Sequence, residues 1–223
     1  MTAMEKCLAM NREIYDAVKR SIRPGITEEE IKEIFLNAAF HGSYEITDYE
    51  YNLMVGPRTA QIGLKEAGAI LKPGDPVLFD LLVKVDGYWS DTTRVFFCGQ
   101  PRRELKKMYG AVERVLQKVS QYVQAGMRCG EVWKYTCDCV AAEGYEGCFP
   151  HHAGHVIGKE VVVSDFVEGN DERIPLGSFI ALEPGIYMDG VGGVRLENNY
   201  VVSGTGVVDI LGYPSAFEDA VVF

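Results

Sequence analysis

The sequence lacks several features that would each indicate a different class of protein. Among its 223 residues, no apolar run approaches the ~20 residues that a membrane-spanning helix needs. Residues 1–12 mix charged and apolar side chains without the continuous apolar stretch of a secretory signal peptide. We therefore expect a cytoplasmic protein that has no membrane partner.

Clustered positive charge and paired cysteines are also missing. The formal net charge is −10, with 22 Lys and Arg against 32 Asp and Glu, and no segment concentrates the basic residues. A chain of this charge repels a phosphate backbone, so we expect no nucleic-acid partner. The six cysteines show no paired two-residue spacing, and we expect all of them to be reduced thiols.

The chain does contain a weak internal repeat, offset by about a hundred residues. Residues 3–22 and 102–124 both have the apolar spacing of an amphipathic helix. A glycine follows each segment, at Gly25 and Gly126, where it would serve as the C-terminal cap. A second helix is predicted in each half, over residues 27–41, where Thr27 and Glu30 can form a capping box, and over residues 129–143.

Two strand pairs complete the repeat. Gly74–Asp80 and Gly177–Glu183 are short apolar runs that begin with glycine and end with a carboxylate. In each half an Asp-Gly pair then predicts a turn into a return strand, which carries a second carboxylate at Asp91 or Glu197. Each half therefore has two helices and a hairpin with one carboxylate per strand.

These elements predict an α+β fold of two pseudo-symmetric helix-helix-hairpin halves around an antiparallel sheet. The halves would cover about residues 1–100 and 101–223, within a single domain over residues 1–223. If the two hairpins face each other, their four carboxylates meet at one place.

Four converging carboxylates require compensating positive charge. Asp80 and Glu183 both follow strongly apolar residues, and burying an isolated carboxylate costs several kcal/mol. Either residue alone could face solvent from an edge strand, but the feature occurs twice at matching positions. Neighbouring carboxylates also raise one another's pKa. Two divalent cations would neutralise the group, and the donor types suit Mn, Fe, Co or Zn.

An imidazole ligand is expected from the segment Phe149–Gly158. Three of the four histidines in the chain lie within it. A single histidine is more often a structural hydrogen-bonding residue than a ligand. Three of them in an apolar segment flanked by glycine indicate a functional site.

The motifs resemble those of the superfamily of methionine aminopeptidases, Xaa-Pro aminopeptidases and prolidases. They occur in the family's order, as Asp80 with Gly87–Arg94, then Gly154–Gly158, Leu182–Tyr187 and Gly193–Glu197. The last two are more similar to the Xaa-Pro branch. The resemblance implies the pita-bread fold of this superfamily. It also implies hydrolysis of a peptide bond by attack of a hydroxide that bridges two divalent metal ions.

The same resemblance implies five metal ligands. Asp80 would hold one ion, and Asp91 and Glu197 would bridge both. His155 and Glu183 would complete the ligand set of the other ion.

Further roles follow from the matched positions. Glu183 would also carry a proton from the attacking water to the leaving amine. His151, four residues before His155, corresponds to a position that contacts substrate. Thr93 and Arg195 would orient ligand carboxylates.

The sequence departs from the family at two positions. Family peptidases carry a histidine in the loop that reads Val55–Gly63 here, and another where this chain has Val162. Those histidines help to seat the peptide and stabilise the tetrahedral intermediate. The Xaa-Pro branch normally has an additional N-terminal domain, for which we find no counterpart in these residues.

Two alternatives to a peptidase stay open. The chain could be a non-peptidase hydrolase of a small C–N substrate, comparable to creatinase, or a metal-binding module without catalysis. Creatinase lacks the metal site, and non-catalytic relatives usually lose ligands, whereas this sequence keeps all five ligand types. Active relatives are often dimers, so a homodimer is possible.

Overall fold

A computed structural model describes residues 1–222. Its first half contains helices α1 and α2, strands β1, β2 and β3, and a 3₁₀ helix between β1 and β2. Their bounds are Ala3–Ser21 (α1), Glu28–His41 (α2), Asp48–Val55 (β1), Gly56–Ala60 (the 3₁₀ helix), Pro76–Val85 (β2) and Tyr88–Cys98 (β3).

The second half repeats this order with shorter strands. It contains α3 (Arg103–Tyr122), α4 (Cys129–Ala142), β4 (Gly154–Ile157), β5 (Ser164–Asp165), β6 (Phe179–Leu182), β7 (Gly185–Met188), β8 (Gly192–Arg195), β9 (Asn198–Ser203), β10 (Gly206–Asp209), α5 (Phe217–Ala220) and β11 (Val221–Val222). The four long helices thus lie within two residues of their predicted bounds, and the α+β prediction is confirmed.

Capping residues fix where the first two helices begin. The Thr27 hydroxyl accepts a hydrogen bond from the backbone N–H of Glu30, and the Glu30 carboxylate accepts one from the backbone N–H of Thr27. Thr2 and Glu5 form the same kind of capping box at the start of α1, and this box was not predicted from the sequence.

The prediction that Gly25 and Gly126 cap helices is wrong. Helices α1 and α3 are each capped three residues earlier, at Ile22 and Val123. The two glycines instead occupy later turns with φ of +88° and +82°, a region that favours glycine. Each donates its N–H to a distant carbonyl, at Leu71 and Ile174 respectively.

The predicted hairpins differ between the halves. Strands β2 and β3 form one uninterrupted antiparallel ladder in which Asp80 lies opposite Thr93. In the second half β6 pairs with β9 and β7 pairs with β8, so the ladder is broken on both sides. Glu183 and Glu197 lie in these two breaks. Pro184 has no N–H to donate, which accounts for the break after β6.

Three sheets result from this pairing. The first has the order β1-β2-β3-β11, the second β10-β9-β6-β4-β5, and β7 and β8 form the third. All pairs are antiparallel except that of β11 with β3. One isolated bridge, between Thr93 and Glu197, connects β3 to the break before β9.

The helices cover the sheets with apolar side chains. Ile14 and Phe35, from α1 and α2, are fully buried in one cluster with Phe79 of β2. Helices α3 and α4 contribute to a second cluster with β6 and β9. All six cysteines are free thiols, as expected. Among residues 1–222, no helix is long and apolar enough to span a bilayer.

Candidate functional site

Five side chains that the sequence predicts as metal ligands are buried along the junction between the two halves. Asp80 and Asp91 lie on β2 and β3, and His155 lies on β4. Glu183 follows β6 directly, and Glu197 precedes β9 directly. Each is at most 8% exposed, so their charges are removed from solvent.

Four of these residues lie side by side. Asp91, His155 and Glu197 offer donor atoms that are all within 4.8 Å of one another. His155 Nε2 is 3.3 Å from Asp91 Oδ2 and 3.9 Å from Glu183 Oε1. The imidazole therefore lies between carboxylates from both halves of the chain.

The fifth residue, Asp80, is held next to this group by three side chains. Its Oδ2 accepts hydrogen bonds from Arg195 Nη2, at 2.7 Å, and from Asn52 Nδ2, at 2.6 Å. The Thr93 hydroxyl lies 3.3 Å from Asp80 Oδ1 and donates to Glu197 Oε2 at 2.7 Å. Thr93 and Arg195 thus contact the carboxylates that they were expected to orient. Asn52 was not identified from the sequence.

The backbone around Asp91 and Glu197, the two carboxylates expected to bridge, is also fixed. Asp91 donates its N–H to Asn199 Oδ1, at 3.1 Å, and accepts from Asn199 Nδ2 through its carbonyl, at 2.8 Å. The buried guanidinium of Arg94 donates to the carbonyl of Glu197 at 2.9 Å. These hydrogen bonds therefore hold together, at the site, segments that are about a hundred residues apart in the sequence.

Glu183 is surrounded by histidines. His152 Nε2 is 3.1 Å from Glu183 Oε1, and His151 Nδ1 is 3.7 Å from Glu183 Oε2. The other nitrogen of His152, Nδ1, is 2.8 Å from Asp165 Oδ1. His151 Nε2 is 3.0 Å from the Tyr187 hydroxyl. His151 thus lies beside the site, while His152 and Asp165 were not assigned to it from the sequence.

Burial and mutual repulsion disfavour ionisation of the two carboxylates expected to bridge. Burial, followed by the charges of Asp80 and Glu183, raises the pKa of Asp91 well above its usual value. Burial, followed by the charge of Asp91, does the same to the pKa of Glu197. A cation at this position would restore both to the ionised form.

The pKa values of His151 and His152 shift in opposite directions. Burial lowers the pKa of His151 to about 4, so its ring is neutral. Burial also opposes the charge on His152, but the hydrogen bonds and charges of Glu183 and Asp165 raise its pKa to about 10. For Glu183, burial would raise the pKa, and the hydrogen bond and charge of His152 outweigh it and lower the pKa to about 2.

The residues fit a divalent metal centre. Glu197 Oε1 is buried without a hydrogen-bond partner among residues 1–222. An unsatisfied buried acceptor costs about 1–3 kcal/mol, so such an atom calls for an additional partner. Carboxylate oxygens and imidazole nitrogens are donors that Mn, Fe, Co and Zn all accept. The raised pKa values of Asp91 and Glu197 indicate the same missing positive charge.

The comparisons with known proteins place this arrangement in a family. YkvY of Bacillus subtilis, whose name proposes a dipeptidase, is 30% identical over 195 residues. That match covers 87% of this chain and 54% of YkvY. The chain spans about half the length of the curated relatives that it matches.

Solved structures share the fold. An Xaa-Pro dipeptidase from Bacillus anthracis is similar with a TM-score of 0.88 and 27% identity, over 95% of this chain and 60% of that one. An X-Pro aminopeptidase from Thermotoga maritima has a TM-score of 0.92 at 24% identity, over 99% of this chain and 62% of that one. The predicted pita-bread fold is confirmed.

The model of metallopeptidase family M24 matches residues 2–204, which is most of the sequence. The match includes all five predicted ligands and the two histidines, His151 and His152, beside them. The chain therefore belongs to metallopeptidase family M24.

Proposed function

We propose that this chain is a dinuclear-metal-dependent hydrolase that cleaves a peptide bond in the manner of an Xaa-Pro dipeptidase or aminopeptidase. The observation that carries the proposal is the meeting of Asp80, Asp91, His155, Glu183 and Glu197 at one buried place. The names of the B. subtilis and B. anthracis proteins support a dipeptide substrate.

The five residues would hold two divalent ions, with manganese, cobalt, iron and zinc as the candidate metals. When bound, the ions would lower the pKa of a water molecule and polarise the substrate carbonyl. The carboxylates and His155 would fix the positions at which this chemistry takes place. The unpaired Glu197 Oε1 supports a ligand role for that carboxylate.

Glu183 is proposed as the proton carrier. As the water oxygen bonds to the carbonyl carbon and the C–N bond breaks, one proton must move from the water to the leaving nitrogen. Glu183 is ionised and therefore able to accept that proton and then donate it. Its Oε1 lies 3.1 Å from His152 Nε2 and its Oε2 lies 3.7 Å from His151 Nδ1, so both rings border the carboxylate.

His151 is proposed to contact the substrate. Its Nδ1 donates to the backbone carbonyl of His152, at 2.7 Å, so Nε2 is the accepting nitrogen. That nitrogen receives the proton of the Tyr187 hydroxyl, which in turn accepts from Arg195 Nη1 at 3.2 Å. The ring is thereby held in one orientation beside Glu183, where a substrate bound next to Glu183 would contact it.

A second candidate is hydrolysis of a small C–N substrate that is not a peptide. The observation that favours it is the replacement of two family histidines. Val162 occupies one of these positions in the segment between β4 and β5, and its side chain is 42% exposed. The loop Val55–Gly63 likewise contains no histidine. Groups that seat a peptide are therefore missing where the family usually has them.

The test is hydrolysis of Xaa-Pro dipeptides, other dipeptides and small amides by the metal-loaded protein. We expect cleavage that a chelator abolishes and that Glu183→Gln lowers at least about a hundredfold. Glu168→Gln, a matched change at an exposed glutamate, should leave the rate unchanged. Cleavage of small amides alone would favour the second candidate. Cleavage that survives both the chelator and Glu183→Gln would contradict the proposal.

A further inference from the structure

The His152 side chain faces a predicted metal ligand, Glu183, although His152 is not one of the five predicted ligands. Its Nε2 points at Glu183 Oε1 from 3.1 Å, and its Nδ1 is 2.8 Å from Asp165 Oδ1. The ring lies nearly parallel to that of His155, at 28°, with centroids 5.6 Å apart. The two imidazoles therefore approach the same carboxylates from adjacent positions.

Asp165 determines which nitrogen of His152 carries a hydrogen. A carboxylate accepts hydrogen bonds, so the Nδ1 that faces Asp165 Oδ1 carries the proton. The other nitrogen, Nε2, faces Glu183 Oε1. In the chain without metal a proton joins these two atoms, and an ion bound beside them would take the place of that proton. Anchoring of Nδ1–H on a carboxylate is also what fixes metal-ligating histidines in general.

The distances match donors that share one ion. Along the series His152 Nε2, Glu183 Oε1, His155 Nε2 and Asp91 Oδ2, successive separations are 3.1, 3.9 and 3.3 Å. Ligands placed ~2.0–2.2 Å from a single ion lie about 3–4 Å from one another. His152 Nε2 therefore lies at the distance from Glu183 Oε1 that two ligands of one ion would have.

His151 lies at a similar distance, with its Nδ1 3.7 Å from Glu183 Oε2, but hydrogen bonds occupy both of its ring nitrogens. Its Nδ1 donates to the His152 carbonyl at 2.7 Å, and its Nε2 accepts from the Tyr187 hydroxyl at 3.0 Å. Both nitrogens are thus engaged within the protein. The choice between the two neighbouring histidines falls on His152.

We propose that His152 is an additional ligand of the ion held by Glu183 and His155, with Asp165 as the carboxylate that positions it. The inference rests on the metal centre of the proposed function. One of the two metal positions then has two imidazole nitrogens, and the other has only carboxylates. Imidazole suits zinc, whereas carboxylate suits manganese, so the two positions should differ in metal preference, the first favouring zinc or cobalt.

The test is proton NMR of the full chain loaded with Co(II). A histidine bound to Co(II) through Nε2 shows its Nδ1–H as a strongly shifted signal that disappears in D₂O. We expect two such signals from the wild type, for His155 and His152, and one from His152→Asn. His151→Asn is the matched control and should keep both signals. In Asp165→Asn, one of the two metal positions should bind Co(II) about tenfold to a hundredfold more weakly. Competition with a chromophoric chelator measures this difference.

Three outcomes would overturn the inference. One shifted exchangeable signal in the wild type would exclude His152 as a ligand, and this result needs no variant. Unchanged cobalt affinity in both His152→Asn and Asp165→Asn would also exclude His152 as a ligand. In either case two bound ions would leave the proposed function intact. Failure of the wild type to bind cobalt at all would remove both the inference and the proposed metal centre. Thermal unfolding of the metal-free variants checks that each has folded.

Discussion

Thr93 and Glu197 exchange backbone hydrogen bonds in both directions, from Thr93 N to Glu197 O at 3.4 Å and from Glu197 N to Thr93 O at 3.2 Å. The Thr93 hydroxyl also donates to the Glu197 carboxylate, at 2.7 Å, and accepts from Arg195 Nε at 2.9 Å. A strand of the first half is thereby joined to a carboxylate of the second half. The relative position of the expected ligands depends on this bridge.

Replacing Thr93 with valine should weaken metal binding while preserving the fold. Valine keeps the shape of the side chain but cannot donate to Glu197 or accept from Arg195. Loss of a group that orients a ligand typically lowers metal affinity by about 10–100-fold. Chelator competition measures the effect. Thr136→Val is the matched control, since Thr136 is equally buried but its hydroxyl donates within α4. Equal affinity in both variants would contradict an orienting role for Thr93.

Glu28 should be required for stability although it lies outside the site. Its buried carboxylate pairs with Arg58 and accepts from the backbone N–H groups of Val55, at 2.9 Å, and Ala67, at 2.7 Å. Glu28→Ala leaves these donors without their acceptor, so we expect the free energy of unfolding to fall by about 3 kcal/mol. Urea unfolding measures this difference.

The neighbouring exposed residue provides the control for that experiment. Glu29→Ala changes a solvent-facing glutamate in the same helical turn and should alter the free energy of unfolding by only a few tenths of a kcal/mol. If Glu28→Ala proved no more destabilising than Glu29→Ala, the loop that follows β1 would not depend on this carboxylate.

Restoring a histidine at position 162 should raise peptidase activity. Val162 is 42% exposed, so an imidazole fits there without displacing the core. A transition-state hydrogen-bond donor is commonly worth a factor of about a hundred or more in rate. We therefore expect Val162→His to increase turnover of Xaa-Pro dipeptides with unchanged metal content. Val163→His, at an adjacent exposed valine, should give no increase. Equal rates in all three proteins would favour a small C–N substrate instead.

The sequence predicted the elements whose evidence is local. The helices follow from apolar spacing within about four residues, and the capping box at Thr27 and Glu30 needs only two positions. The candidate ligands were found because each sits in a short motif. The buried positions of Asp80 and Glu183 agree with their apolar flanking residues.

Features that depend on pairing between distant segments were missed. Asn52 reaches Asp80 only because β1 pairs with β2 in the register that sets these two residues opposite each other. Asp165 reaches His152 from β5, a strand of two residues that has no recognisable pattern. Gly25 was assigned to a helix cap because its partner, the Leu71 carbonyl, is remote in sequence. The cytoplasmic location, the homodimer and the single-domain boundary stay predictions.

Metal content of the purified protein tests the central claim most directly. Elemental analysis after loading and desalting should give two divalent ions per wild-type chain. Asp91→Ala and Glu197→Ala should each abolish the pair, because both carboxylates lie where a bridge between the ions is expected. Asp171→Ala, whose side chain is 83% exposed, should retain both ions. Two ions retained in both Asp91→Ala and Glu197→Ala would contradict the dinuclear centre.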